Sequence, residues 1–174
     1  MFKASREFIK VRQPFASHPL VVVSVNKKGG RVANDCFGNA ADCIDRTKGI
    51  KIVSGWLVHS YNKLGDSTEI IQHYWNYSDS EKYFDETNGV PNNCEYIVDM
   101  DISNFSQVNI DKIVSNVGHS FLLTKGRLSA FHYDNTNLVL KNIISLETKN
   151  LFEYLEKYRW YRSLRQISSS VRWI

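Results

Sequence analysis

Three side chains have the types and the chain order needed for nucleophilic acyl transfer: Cys36, His73 and Asp85. A thiol attacks a carbonyl when something favours its thiolate, and a helix N-terminus does so through the partial positive charge of its unpaired N–H groups. A base is also needed, together with a third group that fixes the base in one tautomer and orientation. The stretch from Asn34 to Arg46 reads as a helix. Asn34 or Asp35 can cap it, Phe37, Ala40, Ala41 and Ile44 recur at helical spacing, and Lys48-Gly49 stops it. Cys36 then falls in the first turn. Gly38 counts against this helix, because glycine inside one costs about 1 kcal/mol relative to alanine.

The elements that must hold the other two residues follow directly. Ile50 to Ser60, Thr68 to Tyr77 and Lys82 to Thr87 are β-rich and separated by short polar loops, which predicts an antiparallel meander. A hairpin centred on Asp79 sets His73 opposite Asp85 and Trp75 opposite Tyr83. Directly opposed side chains share a face with Cβ atoms about 4.5 to 5.5 Å apart, so the carboxylate reaches the imidazole while the two aromatics help exclude water. A loop one residue longer or shorter would slip the strands and change these partners.

His73-Tyr74-Trp75 followed by Tyr83-Phe84-Asp85-Glu86-Thr87 resembles the H-x-W and D-x-T elements of the transglutaminase-like superfamily, within the broader papain-like thiol fold. The resemblance spans about residues 34 to 87. It implies a cysteine-bearing helix packed on an antiparallel sheet, with the histidine on one strand and the aspartate on the next. It implies Cys36 as nucleophile, His73 as general base and acid, and Asp85 as the orienting carboxylate. The oxyanion would be held by the Cys36 backbone N–H and an upstream side-chain donor, for which Asn34 is the candidate. Trp75 would be a structural neighbour. The implied function is a cysteine-dependent hydrolase or acyltransferase, of protease, deamidase or transglutaminase type, acting on an amide or thioester bond. Its substrate would be a protein or peptide, and neither metal nor organic cofactor is required.

Other residues of the same types read more plainly. His59, on the first strand of the meander, is the rival base, whereas His18, His119 and His132 read as surface or satisfied core histidines. Asn76 could serve as an orienting amide, but three residues from His73 on one strand it points to the opposite face. Glu69 and Asp66 read as solvated charges, and Cys43 and Cys94 as core thiols.

A chain of 174 residues with 43% hydrophobic content can bury one core, so residues 1–174 are read as a single domain. The net charge of +4, concentrated after residue 156, is too mild to announce nucleic acid by itself. Three cysteines without a C-x-x-C pair suggest neither a disulfide framework nor a zinc site, and therefore a reducing compartment. No apolar leader or bilayer-length apolar run is seen, so a soluble cytoplasmic protein, or one delivered into a host cytoplasm, is expected.

The fold class expected is α+β: an antiparallel sheet, the Cys36 helix packed on one face, and a C-terminal helix over further core. Residues 1 to 19 read as an ordered lead-in without regular structure, and Leu20 to Val25 as a strand. Beyond the meander come strands near Tyr96 to Met100, Phe121 and Leu138, a short helix near Ile110 to Asn116, and a final helix from about Lys149 to Gln166. That last helix interleaves aromatics with Lys157, Arg159, Arg162 and Arg165. Those cations define the alternative function, a non-catalytic binder or inhibitor engaging an acidic protein or nucleic acid.

Overall fold

A computed structural model of the chain describes residues 1–59, 67–101, 103, 120–133 and 140–145. Their order is α1 (Lys3–Arg12), a 3-10 turn (Gln13–Phe15), β1 (Val21–Val23), β2 (Asn26–Lys27), α2 (Cys36–Arg46), β3 (Lys51–His59), β4 (Ser67–Ser78), β5 (Lys82–Asp85), β6 (Cys94–Val98), β7 (Ser120–Thr124), β8 (Arg127–Tyr133) and β9 (Leu140–Ser145). The protein is α+β. One sheet runs β1-β6-β3-β4-β7-β8-β9, with β5 also paired to β4 and β2 to β5. Every pairing is antiparallel except β2 with β5.

β3 lies between β6 and β4 and is buried from Ile52 to Val58, which is why its sequence shows little polar alternation. Its two faces feed two apolar clusters. Trp56, Val58, Ile70, Ile97, Phe121, Leu123 and Leu128 pack with Phe8 of α1 on one side, while Val53, Leu57, Trp75, Tyr96 and Val98 pack on the other. No glycine substitute fits at position 55, because a Cβ there would lie 2.0 Å from the Ile97 carbonyl oxygen. Gly55→Ala is therefore expected to force β3 and β6 apart and to lower the urea midpoint markedly, whereas Gly126→Ala, in open space, should not produce such a clash.

The first 19 residues are not irregular, since Lys3 to Arg12 form a helix. Its buried positions are Ser5, Phe8 and Arg12, so the inward stripe holds a single large apolar residue and reads as polar in sequence. Arg12 is nevertheless enclosed. Its Nε donates to Asp99 Oδ2 at 3.0 Å and its second guanidinium nitrogen to Asp101 Oδ2 at 3.4 Å, while Trp56 Nε1 donates to the same Asp99 oxygen at 2.9 Å.

The strand expected near Phe121 is β7, but β8 was not anticipated; the Lys125-Gly126 turn that creates it has φ of 49° and 75°. The strand expected near Leu138 begins, within the described residues, at Leu140. The helices expected near Ile110 to Asn116 and Lys149 to Gln166 lie outside the described residues, as do Asp66, His119, Lys157, Arg159, Arg162, Arg165 and the side chain of His132. Among the described residues no helix is long and apolar enough to cross a membrane.

One gap in the sheet matters most for function. β5 occupies the outer edge of β4 at residues 76–78 and β7 occupies it at 67–71, so no described strand pairs with residues 72–75 on that edge. The N-terminal half of α2 lies against this stretch. The Phe37 ring meets Tyr74 edge-on at 5.2 Å, and Asn76 Nδ2 donates to the Ala40 carbonyl at 2.9 Å.

Candidate active site

α2 begins at Cys36, with Asp35 as its cap: Asp35 Oδ1 accepts from the Gly38 amide at 3.2 Å. The presence of glycine at 38 follows from that cap. A Cβ at position 38 would lie 2.5 Å from Asp35 Oδ2, so the residue that weakens the helix by propensity is the one that admits its capping carboxylate. Gly38→Ala should displace the cap and cost about 1 kcal/mol in urea denaturation, in place of the gain that alanine usually brings inside a helix. The amides of Cys36 and Phe37, the first two of the helix, have no acceptor within it.

His73 sits on β4 in the unpaired stretch and is 6% exposed. Its Nε2 lies 2.7 Å from Asp85 Oδ2. The Cys36 thiol lies near enough to act on the charge of the ring. Burial is the largest single influence on the imidazole and favours its neutral form. It is outweighed by the nearby Cys36 and by the charge of Asp85 and the hydrogen bond to it, which together hold the His73 pKa up at about 10. Burial likewise works against the Asp85 carboxylate, yet donation from His73, the Thr87 amide and Tyr96 lowers its pKa. The arrangement sets a thiol and a carboxylate about one buried imidazole.

The expected juxtaposition of His73 and Asp85 is met, but through a different register. β4 and β5 pair Asn76 with Phe84, Tyr77 with Tyr83 and Ser78 with Lys82, so the hairpin is centred on Ser80 and not on Asp79. The shift moves each partner by two residues, and an even slip keeps every side chain on its face. Asp85, beyond the last pair, therefore still reaches His73. Trp75 is not opposite Tyr83. It is 1% exposed, with its ring nearly parallel to that of His73 at 6.2 Å, whereas Tyr83 packs against Tyr77 at 5.0 Å, away from the imidazole.

Asp85 is fixed from several sides. Oδ1 accepts from the Thr87 amide at 2.8 Å, and Oδ2 accepts from the Tyr96 hydroxyl at 2.8 Å as well as pairing with His73. Thr87 Oγ1 in turn accepts from Asn39 Nδ2 at 3.3 Å, and the same Asn39 nitrogen donates to the Val32 carbonyl at 2.7 Å. Asn39 is 4% exposed and ties the nucleophile's helix to the aspartate's strand. Neither Tyr96 nor Asn39 was singled out in the sequence. Tyr96 lies on β6, two strands from His73, and only its register with Leu57 brings it near; Asn39 is a buried polar residue one turn after Cys36.

The remaining candidates fall elsewhere. Asn34 is exposed at φ 61° in the turn before α2, while the Cys36 and Phe37 amides, at the start of the helix, are left without an acceptor inside it. Asn76 holds the Ala40 carbonyl from the opposite face and is structural. His59 lies 3.8 Å from Glu69 and far along β3 from the Gly55–His73 pairing. Glu69, expected to be solvated, is buried at 6% because β7 covers that edge of β4. His18 is exposed and bonds Asp101 at 2.7 Å. Cys43 is a buried thiol as expected: burial first, then donation to Glu86 at 3.2 Å, pushes its pKa up to about 12. Cys94 is only half buried, where Lys27 Nζ lies 3.0 Å from its sulfur and the Pro91 carbonyl accepts from it at 3.0 Å. Among the described residues no group of three or more His, Cys, Asp or Glu could hold a metal.

Comparison with protein-family models, with curated proteins and with solved structures finds no match.

Proposed function

We propose that this chain is a cysteine-dependent hydrolase or acyltransferase acting on an amide or thioester bond, with a core of transglutaminase-like or papain-like type. The observation that carries the reading is one buried imidazole that lies 2.7 Å from a carboxylate and close to a thiol at the first position of a helix.

The chemistry follows from who holds the proton. With His73 protonated and Cys36 as thiolate, the sulfur attacks the carbonyl carbon. The negative charge that develops on oxygen is met by the Cys36 and Phe37 amides. His73 gives its proton to the leaving amine or thiol as the tetrahedral adduct collapses to a thioester on Cys36. Water or an amine then attacks that thioester, His73 accepts its proton, and the thiolate leaves. Asp85 stays ionised throughout and keeps the ring aligned. No step draws on a metal or organic cofactor, so turnover is expected to survive chelators and to stop on alkylation of Cys36.

The experiment that tests the reading is intact mass spectrometry after incubation with an activated acyl ester such as a p-nitrophenyl ester. One acyl adduct mapping to Cys36, decaying faster when an amine is added and missing from Cys36→Ala, is the expected result. An adduct distributed over Cys43 and Cys94, or none at Cys36, contradicts it. The rival reading, a binder acting through Lys157, Arg159, Arg162 and Arg165, has no observation among the described residues in its favour.

A further inference from the structure

Asp85 Oδ2 serves two donors at once. His73 Nε2 lies 2.7 Å from it and the Tyr96 hydroxyl 2.8 Å, and both rings are buried. The phenol comes from a strand that does not pair with β4; β3 lies between them, with Tyr96 opposite Leu57 and His73 opposite Gly55. Its ring stands edge-on to His73 at 5.8 Å and to Trp75 at 5.2 Å, so the hydroxyl is held from both sides. Burial, then the charge of Asp85 and the hydrogen bond to it, pushes the phenol's own ionisation far upward, leaving Tyr96 a donor at any working pH.

A carboxylate oxygen that accepts two bonds gives less of its charge to each. A lone imidazolium on Oδ2 would be gripped more tightly and would surrender its proton to a leaving group less readily. We propose that Tyr96 is a positioning residue for the acyl-transfer reaction: by sharing Asp85 Oδ2 with His73, it fixes the carboxylate in place and weakens its hold on the imidazolium. The inference rests on the thiol acyl-transfer reading for its catalytic meaning, but the competition for one oxygen is measurable without turnover.

The test is Tyr96→Phe, which keeps the ring-edge contacts and removes only the hydroxyl, read by NMR titration of the His73 ring beside wild type. The His73 midpoint is expected to rise by roughly half a pH unit, as the undivided oxygen holds the proton longer. In the acylation assay the same variant should lose about tenfold in kcat with KM unchanged. A second protein carrying 3,5-difluorotyrosine at position 96, a stronger donor of the same shape, should move the midpoint downward. It also guards against misfolding of the phenylalanine variant. A midpoint unmoved in both proteins, or moved in the reverse sense, overturns the role of Tyr96. If the midpoints move as stated while wild type shows no acylation, the acyl-transfer reading fails and the shared oxygen stands.

Discussion

Replacing His73 by asparagine is expected to slow acylation of Cys36 by about a thousandfold, within the range that a positioned acid–base group supplies. Asparagine is chosen because its amide can still donate to Asp85 Oδ2, so the buried carboxylate is not left without a partner and the protein should remain folded. What it cannot do is carry a proton between the sulfur and a leaving group. A rate that falls only a few-fold would mean that the Cys36 sulfur does not depend on that ring.

The pH dependence follows from the same contacts. Because the His73 pKa is raised to about 10, the imidazolium persists through neutral pH, and acylation should decline only as pH rises through that value. Asp85→Asn removes the charge behind the ring and should bring this alkaline limb to lower pH. The stability linkage has matching signs. The share contributed by His73 is fully present below its unfolded value of about 6.5 and is lost as pH rises through about 10. Asp85, whose pKa is lowered, contributes above its unfolded value near 3.9, and that contribution is lost as pH falls through its lower folded value. Chemical denaturation across this range should show stability falling at both ends.

The second large effect lies away from the site. Arg12→Met is expected to destabilise the protein by about 3–5 kcal/mol, because Asp99 would remain buried as an uncompensated charge at 1% exposure. Adding Asp99→Asn should restore a large part of that loss. The asparagine carries no charge but still offers Trp56 Nε1 the acceptor it now finds on Asp99. Urea denaturation of the two single variants and the double variant forms a cycle whose coupling energy checks this. Additive effects would show that Arg12 and Asp99 do not act as a pair.

Arg12 also explains where the sequence was opaque. A helix whose inner stripe is Ser5, Phe8 and Arg12 cannot be found by apolar periodicity, since its most deeply enclosed long side chain is a cation satisfied by carboxylates 87 and 89 residues away. Tyr96 was hidden for a related reason, as its meaning depends on β6 inserting between β1 and β3, a crossover no local pattern announces. Glu69 looked solvated because nothing near it in sequence foretells that β7 would cover it. The Cys36 helix, by contrast, was legible from its cap and stop, which are local devices. The His73–Asp85 contact was also legible, although the hairpin centre was misplaced by one residue. Face alternation has a period of two, so the slip changed the partners without separating the pair.

The measurement closest to the central claim is peptide-mapped alkylation by iodoacetamide near neutral pH, in wild type and in His73→Asn. Cys36 should be modified well ahead of Cys43, whose buried thiol is held up at about 12, and ahead of Cys94, and the lead should vanish in the variant. Three thiols reacting at similar slow rates, or a Cys36 rate indifferent to the loss of His73, would contradict a nucleophile activated by that histidine.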